Sequence, residues 1–268
     1  MRKPSTNQRK LCRLFGALLI LFNGCNAAPN RIFEERFERL YAVEPNTNIT
    51  IQNGDGSILL YGSSVNEVRV HAVKKTYSRE RLAQIAIDVS ATPESVSITT
   101  KFPPTPKFGL GDRSGTVDYT IVVPASASVS QLELNAGEIL LDGMRGSVTR
   151  ARLDMGRMFA RNCFSHNLDL AIRRGNLMLS YDWWQAEQLS AHVNIFQGNA
   201  LTYLPIDAAF HMLVEQEQGK LINDFNNTAA GPVTENRTKI DPVVNGGDHA
   251  VIEIRVGKGN INIAKPNL

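Results

Sequence analysis

The sequence predicts an all-β, single-domain β-solenoid that follows an N-terminal signal peptide. Three observations carry this prediction: a glycine-centred unit that returns at nearly constant spacing, apolar residues that alternate on both sides of each glycine, and an apolar leader. A fixed period of about 20 residues is typical of stacked repeats. We expect a signal peptide at 1–24, an anchor or linker at 25–36, and the β-strand repeat domain at 37–265.

The repeat is defined by glycines that are 19, 19, 23, 21 and 40 residues apart, and the last interval is about two periods. The segment Asn53-Gly54-Asp55-Gly56 resembles a widened first copy. Two segments rich in glycine, proline or asparagine, 102–116 and 223–247, are predicted to be irregular. The glycines of the six copies are Gly137, Gly156, Gly175, Gly198, Gly219 and Gly259.

Apolar residues alternate on both sides of each glycine. In the copy at Gly137, Leu132 and Leu134 precede the glycine, and Ile139 and Leu141 follow it. Period-two alternation is typical of a strand with one buried face, and glycine accepts the positive φ that a sharp turn between two strands requires. One unit cannot bury its apolar face alone, so the copies are expected to stack about 4.8 Å apart. A β-sandwich with irregular hairpins is the alternative.

The N-terminus has the features of a bacterial signal peptide. Five basic residues and no acidic one precede or border the apolar run at 14–22, which is too short to cross a bilayer as a helix. No later run is long enough for a transmembrane helix. The run ends at Phe22-Asn23-Gly24-Cys25, which resembles a lipobox and predicts that Cys25 is lipidated, with membrane lipid as its partner. Cleavage after Ala27 or Ala28 is the alternative.

The charge of the chain changes when the leader is removed. The whole sequence has 29 basic and 26 acidic side chains, and the leader removes five basic ones, which leaves 24 against 26. The basic balance therefore belongs to the leader and predicts no nucleic-acid partner. We expect an exported protein of the cell envelope, anchored at the outer membrane because Asn26, not aspartate, follows Cys25. A periplasmic or secreted soluble protein is the alternative.

Few residues suggest metal or thiol chemistry. Cys163 lies in the repeat region and is predicted to be a buried small apolar residue. The histidines, among them His192 and His211, are predicted to be solvated or to lie at strand edges. No pair of cysteine, histidine or carboxylate residues has metal-ligand spacing, so neither a metal nor a cofactor is expected.

The tract Tyr181-Asp182-Trp183-Trp184 is the unusual surface candidate because it contains both tryptophans of the chain. Adjacent aromatic rings in a loop can stack on sugar rings, and Asp182 could accept hydrogen bonds from sugar hydroxyl groups. Tyr181, Asp182, Trp183 and Trp184 therefore form a candidate glycan-binding site. The competing interpretation is structural: one tryptophan fills or caps the core, and the other covers a strand edge.

Charged residues suggest a second kind of site. A polysaccharide-active enzyme would bring carboxylates together in one groove, and Asp154, Asp169 and Asp182 are the candidates. The nearby arginines could bind anionic lipid headgroups or polysaccharide, or could pair with these aspartates on a solvated face. Gly-x-Ser-x-Gly, Walker and Rossmann patterns are absent from the sequence, so no catalytic residue is predicted. The arginines are Arg150, Arg152, Arg157, Arg161, Arg173 and Arg174.

The order of these motifs resembles a bacterial family of putative adhesins, built of glycine-turn β-strand repeats. The resemblance covers about residues 37–265, and it implies a right-handed β-helix at the cell surface or in the periplasm. The family has no agreed activity, so the resemblance carries over no catalytic residues. The segments that carry it are Ile49-Thr50-Ile51, Asn53-Gly54-Asp55, 117–124, Asn135-Ala136-Gly137-Glu138-Ile139, and Asn245-Gly246-Gly247 before Ile254-Arg255-Val256.

Together these features predict a non-enzymatic envelope protein for adhesion, scaffolding or envelope sensing. Its partner would be an envelope protein or a polysaccharide. The alternatives are a polysaccharide-active enzyme and a carbohydrate-binding module on a β-helix.

Overall fold

The structure is a computed structural model. It describes residues 31–104, 114–185, 188–225, 230–233, 238–247 and 249–265. The predicted signal peptide at 1–24, Cys25 and the middle of the predicted loop at 102–116 lie outside these residues. In the described segments, no helix is both long and apolar enough to cross a membrane.

Strands make up nearly all of the regular structure, which confirms the all-β prediction. Strand β1 begins at Phe33, so residues 33–36, predicted as linker, belong to the fold. The elements of the described residues are β1 (Phe33–Ala42), β2 (Asn48–Ser63), β3 (Glu67–Thr76), α1 (Arg79–Gln84), β4 (Ala86–Thr92), β5 (Ser95–Lys101), β6 (Thr116–Pro124), β7 (Ser128–Asp142), β8 (Val148–Arg161), β9 (Asn167–Ser180), β10 (Leu189–Gln197), β11 (Ala200–Tyr203), β12 (Phe210–Asn223), β13 (Ala230–Val233), β14 (Thr238–Ile240), β15 (Val243–Val244), β16 (Ala250–Lys258) and β17 (Ile261–Ala264).

The strands form one long parallel ladder. Strands β2, β7, β8 and β9 pair side by side. Strands β10 and β11 follow β9, then come β16 and β17, and β12 completes the ladder. Because hairpin neighbours are antiparallel, the parallel pairing of successive strands β7, β8 and β9 excludes a sandwich of irregular hairpins for this part of the chain.

Antiparallel strands cover both ends of the ladder. At the first end, β5 and β6 pair in parallel with β2, and β4 and β3 add antiparallel strands to them. Strand β1 then pairs with β3. At the other end, β13, β14 and β15 pair with β12. The segment 223–247, predicted to be irregular, therefore contributes three short strands that occupy the outer edge of β12, where backbone groups would otherwise lack partners.

The glycines of the predicted copies lie level with one another along the ladder. Gly137 pairs with Gly156, and Gly156 pairs with Gly175. A Cβ atom on Gly175 would lie 1.9 Å from the carbonyl oxygen of Gly156, so the close approach of the two backbones requires glycine. In spatial order the column is Gly56, Gly137, Gly156, Gly175, Gly198, Gly259 and Gly219, with φ angles between +126° and +149°.

One expectation about these glycines needs correction. The sequence predicts a turn that separates two strands, but in β7, β8, β9 and β12 the strand continues through the glycine. Neighbouring strands have glycine at the same level, so the ladder can change direction there without losing its pairing. We call the part of each strand before its glycine the first arm and the part after it the second arm.

The predicted inward positions form a shared core. Ile139, Leu177 and Ile261, each two residues after a glycine, are at most 2% exposed. Leu132 and Ile254, each five residues before a glycine, are fully buried. Both arms therefore face the same apolar interior, as the alternation predicts.

The order of the strands in space differs from their order in the chain. Strands β16 and β17 lie between β10–β11 and β12. The glycine contacts follow the same order, because a Cβ atom on Gly259 would meet Gly198, and one on Gly219 would meet Gly259. The segment predicted as the last copy thus lies between two segments predicted as earlier copies.

Replacement of a column glycine should destabilise the protein strongly. We expect Gly175→Ala to lower the free energy of unfolding by more than about 4 kcal/mol, because the new methyl group would overlap the Gly156 carbonyl and φ is +149°. The measurement is urea-induced unfolding of the mature chain.

Gly246→Ala is the matched control. Its φ is +71°, but no atom lies within 4 Å of the position of a Cβ, so only the backbone cost of about 1–2 kcal/mol is expected. Equal losses in the two variants would contradict a role for close backbone contact in the column.

Candidate ligand-binding face

The outward side chains of the first arms form a continuous polar surface, which we call the first-arm face. Alternation along each strand places every second side chain on this face, and the parallel pairing aligns these side chains in rows across the strands. One row consists of Glu133, Arg152, Ala171, Asn194, Arg255 and Glu215. The next row consists of Asp154, Arg173, Phe196, Gly257 and Glu217, placed by the pairings on either side of them.

Ion pairs connect neighbouring strands on this face. A nitrogen of Arg150 lies 3.2 Å from the carboxylate of Asp169, and the Arg173 guanidinium binds Asp154. The arginines therefore pair with the predicted aspartates, in line with the interpretation of a solvated face. Pairs as exposed as these contribute little to stability, but they orient each arginine toward the neighbouring strand.

The three candidate aspartates do not converge. Asp154 lies four residues along β8 from the residue that pairs with Asp169, a separation of roughly 13 Å along the strand. Asp182 follows the second arm of β9, away from the first-arm face, and accepts hydrogen bonds from Arg161 at 2.6 Å and Asn162 at 3.0 Å. A glycosidase needs its two carboxyl groups closer than roughly 10 Å, across one bond, and these residues do not provide that arrangement.

Two of these aspartates also have the wrong protonation state for a general acid. The hydrogen bond from Arg173 lowers the pKa of Asp154. Hydrogen bonds from Asn162 and Arg161 lower the pKa of Asp182. A general acid needs a raised pKa to hold its proton near neutral pH, so neither pKa is shifted in the direction that a general acid needs.

A hydrogen-bonded chain of Ser190, His192 and Glu253 lies on the same face. The Ser190 hydroxyl is 2.9 Å from His192 Nε2, and His192 Nδ1 is 2.8 Å from a Glu253 carboxylate oxygen. This is the order of groups in a nucleophile–base–acid triad. However, the Ser190 amide donates to the carbonyl of His166 at 2.8 Å, so it cannot stabilise an oxyanion. The chain of hydrogen bonds connects β10 to β16.

The aromatic ring of Phe196 stands out from this polar face. Phe196 is 67% exposed and lies between Arg173 on β9 and Gly257 on β16. A shallow, open cleft of about 510 Å³ lies on the β9 side of the ring, and a half-open cleft of about 210 Å³ lies on the β12 side. Besides Phe196, the first cleft is lined by Leu153, Asp154, Ala171, Ile172, Arg173 and Asn194. The second is lined by Asn194, Ile195, Glu215, Glu217, Arg255, Val256 and Gly257.

The second cleft is shaped by a glycine and by a charged network. A Cβ atom on Gly257 would lie 2.7 Å from the carbonyl oxygen of Phe196, so glycine allows the close approach and keeps this position free of a side chain. Glu215 lies 3.5 Å from both Arg255 and Lys239. Arg255 also binds Glu253. Glu215 and Arg255 therefore belong to one charged network with Lys239 and Glu253.

The predicted aromatic tract is divided between core and surface. Tyr181 is buried, and its hydroxyl donates to the carbonyl of Cys163 at 2.9 Å. Trp184 is half-buried, donates from its indole nitrogen to Ala209 at 3.1 Å, and packs on Tyr181 with ring centres 5.5 Å apart. Trp183 is 47% exposed, and Asp182 pairs with Arg161. The four residues do not form one flat surface, although Trp183 still presents its ring to solvent.

In the described part of the chain, the cysteine of the repeat region is buried and metal-ligating side chains do not cluster in threes. Cys163 is buried as predicted, and burial raises the pKa of its thiol to about 12, so the reactive thiolate is scarce near neutral pH. The described residues contain no group of three or more His, Cys, Asp or Glu side chains arranged to hold a metal ion.

No protein-family model and no curated protein matches the sequence. Among solved structures, the chain is similar to a putative cell adhesion protein from Clostridium sporogenes, with 15% identity and a TM-score of 0.48 over 87% of this chain and 100% of that chain. It is also similar to a putative adhesin from Bacteroides fragilis, with 10% identity and a TM-score of 0.28 over 87% of this chain and 97% of that chain.

A third similar structure is a putative lipid binding protein from Parabacteroides distasonis, with 12% identity and a TM-score of 0.23 over 86% of this chain and 97% of that chain. Two of the three are named for adhesion, as is the family that the sequence resembles. Because the identities are at most 15% and the TM-scores are below 0.5, these similarities do not identify a ligand or a function for this chain.

Proposed function

We propose that this chain is a non-enzymatic, exported protein of the cell envelope. In this proposal it is a right-handed β-solenoid, anchored through a lipidated Cys25, that presents its first-arm face to an extended partner for adhesion. The observation that carries the proposal is the continuity of the ladder. Six strands bring their first arms into one face, in the spatial order β7, β8, β9, β10, β16 and β12. At about 4.8 Å per step, that face extends roughly 24 Å across the strands.

A binding role accounts for the chemistry of this face better than a catalytic one. Asp154 and Asp169 are each paired with an arginine, and Ser190 has no oxyanion donor in its own amide. A surface of fixed, paired polar groups can recognise a ligand with little loss of side-chain entropy. Catalysis, in contrast, requires groups that converge on one bond and change their protonation state.

The leader supports the envelope location. The basic and apolar segments of 1–24 are typical of export, and Cys25 follows the apolar run. Eight residue steps separate Cys25 from Phe33, where β1 begins, and a chain of that length spans at most roughly 28 Å. An anchored chain would therefore hold its ladder close to the membrane surface.

Lipidation can be tested on the mature N-terminus. When the full sequence is expressed in a bacterium that processes lipoproteins, we expect membrane fractions to contain a chain that begins at an acylated Cys25, as measured by mass spectrometry. The variant Cys25→Ser should lose the modification and move to the soluble fraction. A mature chain that begins after Ala27 or Ala28 would contradict the anchor.

The absence of catalysis can be tested by a turnover screen. We expect the purified mature chain to release no product from uronide oligomers or peptidoglycan fragments, since its candidate aspartates do not converge. Matched samples of Asp154→Asn, Asp169→Asn, Asp182→Asn and Ser190→Ala identify the origin of any turnover. Reproducible product formation that one of these changes removes would overturn the non-enzymatic proposal.

A further inference from the structure

We infer that Phe196 is the centre of a binding site for a neutral glycan. One sugar ring stacks on Phe196, and the neighbouring sugars occupy the two clefts beside it. This inference rests on the proposed function, because it assigns a ligand class to the first-arm face. It places the site on different residues from the tract at 181–184 that the sequence suggests.

The first step of the argument is the position of the ring. Phe196 is 67% exposed, and the side chains in its row are Asp154, Arg173 and Glu217, with no side chain at Gly257. The ring is therefore an apolar platform that has charged side chains in its row and the mainly apolar wall of the first cleft beside it. A pyranose ring has one face of C–H groups and a rim of hydroxyl groups, so it can cover the phenyl ring while its rim meets the polar neighbours.

The second step is the arrangement of the polar groups. Asn194 lines both clefts, and its amide can both donate and accept hydrogen bonds. Asp154 and Arg173 lie on one side of Phe196, and Glu215 and Arg255 lie on the other. Sugar hydroxyl groups also donate and accept, so carboxylates, guanidinium groups and an amide on both sides of a platform match the rim of consecutive sugars.

The third step is pre-organisation. The guanidinium of Arg173 binds Asp154, and Arg255 lies 3.5 Å from Glu215 and also contacts Glu253. These contacts orient the long side chains in the unbound protein, which reduces the entropy lost on binding by a small amount because exposed ion pairs are weak.

The fourth step is the charge of the site, which favours a neutral ligand. The clefts are lined by three carboxylates, Asp154, Glu215 and Glu217, and two guanidinium groups, Arg173 and Arg255. An anionic glycan would therefore meet no excess of positive charge, and each arginine is already engaged by a carboxylate.

The test is binding of defined oligosaccharides to the mature chain carrying Cys25→Ser. The neutral probes are β-1,4-linked hexasaccharides of glucose, mannose, xylose and N-acetylglucosamine, and the α-1,4-linked hexasaccharide of glucose. The anionic probe is a hexamer of galacturonic acid. Calorimetry is expected to detect at least one neutral probe and to show that Phe196→Ala weakens its binding by about tenfold or more. Because Phe196 is exposed, this change should leave the unfolding midpoint unaltered.

Trp183→Ala is the matched control, since it removes a second exposed aromatic ring outside the first-arm face. It should bind the neutral probe as the parent does, whereas Asn194→Ala should weaken binding because its amide serves both clefts. The inference is overturned if no neutral probe binds, if only the anionic probe binds, if Phe196→Ala binds as the parent does, or if Trp183→Ala alone loses binding. The two proposals can fail separately. If the full sequence is lipidated at Cys25 and the mature chain shows no turnover, an absence of glycan binding overturns this inference and leaves the proposed function intact.

Discussion

The close contact between backbones at the glycine column is the constraint on which the rest of this structure depends. Each column glycine after Gly56 brings its Cα close to the carbonyl oxygen of the glycine on the neighbouring strand. For Gly156 and Gly175, an added Cβ would lie within 2 Å of that oxygen. The positive φ at these positions changes the direction of the chain at the same level in every strand. The ladder therefore continues through the bend, and both arms remain in register.

Register at the column fixes the chemistry of the surface. Because the first arms are aligned, outward residues from different copies meet in rows, and residues far apart in the chain become neighbours. Arg173 and Asp154 are neighbours for this reason, and so are His192 and Glu253. The same alignment places Phe196 between a charged residue and Gly257, which opens clefts on both sides of the ring. The first-arm face therefore results directly from the stacking of the strands.

Local patterns in the sequence predict the strands and their buried faces, because alternation depends only on neighbouring residues. Ile139 and Leu177 are buried for this reason. Residue spacing cannot predict that β16 and β17 lie between β10–β11 and β12, since this order depends on pairings between strands far apart in the chain. The contact between His192 and Glu253 spans 61 residues and results from that order.

The candidate sites, too, could be predicted from the sequence only in part. In the tract at 181–184, neighbouring residues face different surroundings, so Tyr181 enters the core and Trp183 remains exposed. Composition alone could identify the tract as unusual but could not separate these roles. Phe196 gives a weak signal in the sequence, as an aromatic residue at an outward position between Ile195 and Gln197. Its significance depends on Gly257 and the two clefts, which only the spatial order of the strands reveals.

Disulfide formation between engineered cysteines tests the stacking order most directly. Asn194 pairs with Arg255, which in turn pairs with Glu215, so Asn194 and Glu215 are two strands apart, or roughly 9.6 Å. Disulfides require Cα atoms within about 7 Å. In a Cys25→Ser background, where Cys163 is buried, mild oxidation should link Asn194→Cys to Arg255→Cys but not to Glu215→Cys. A rapid link between 194 and 215, with none between 194 and 255, would contradict the stacking order described for this protein.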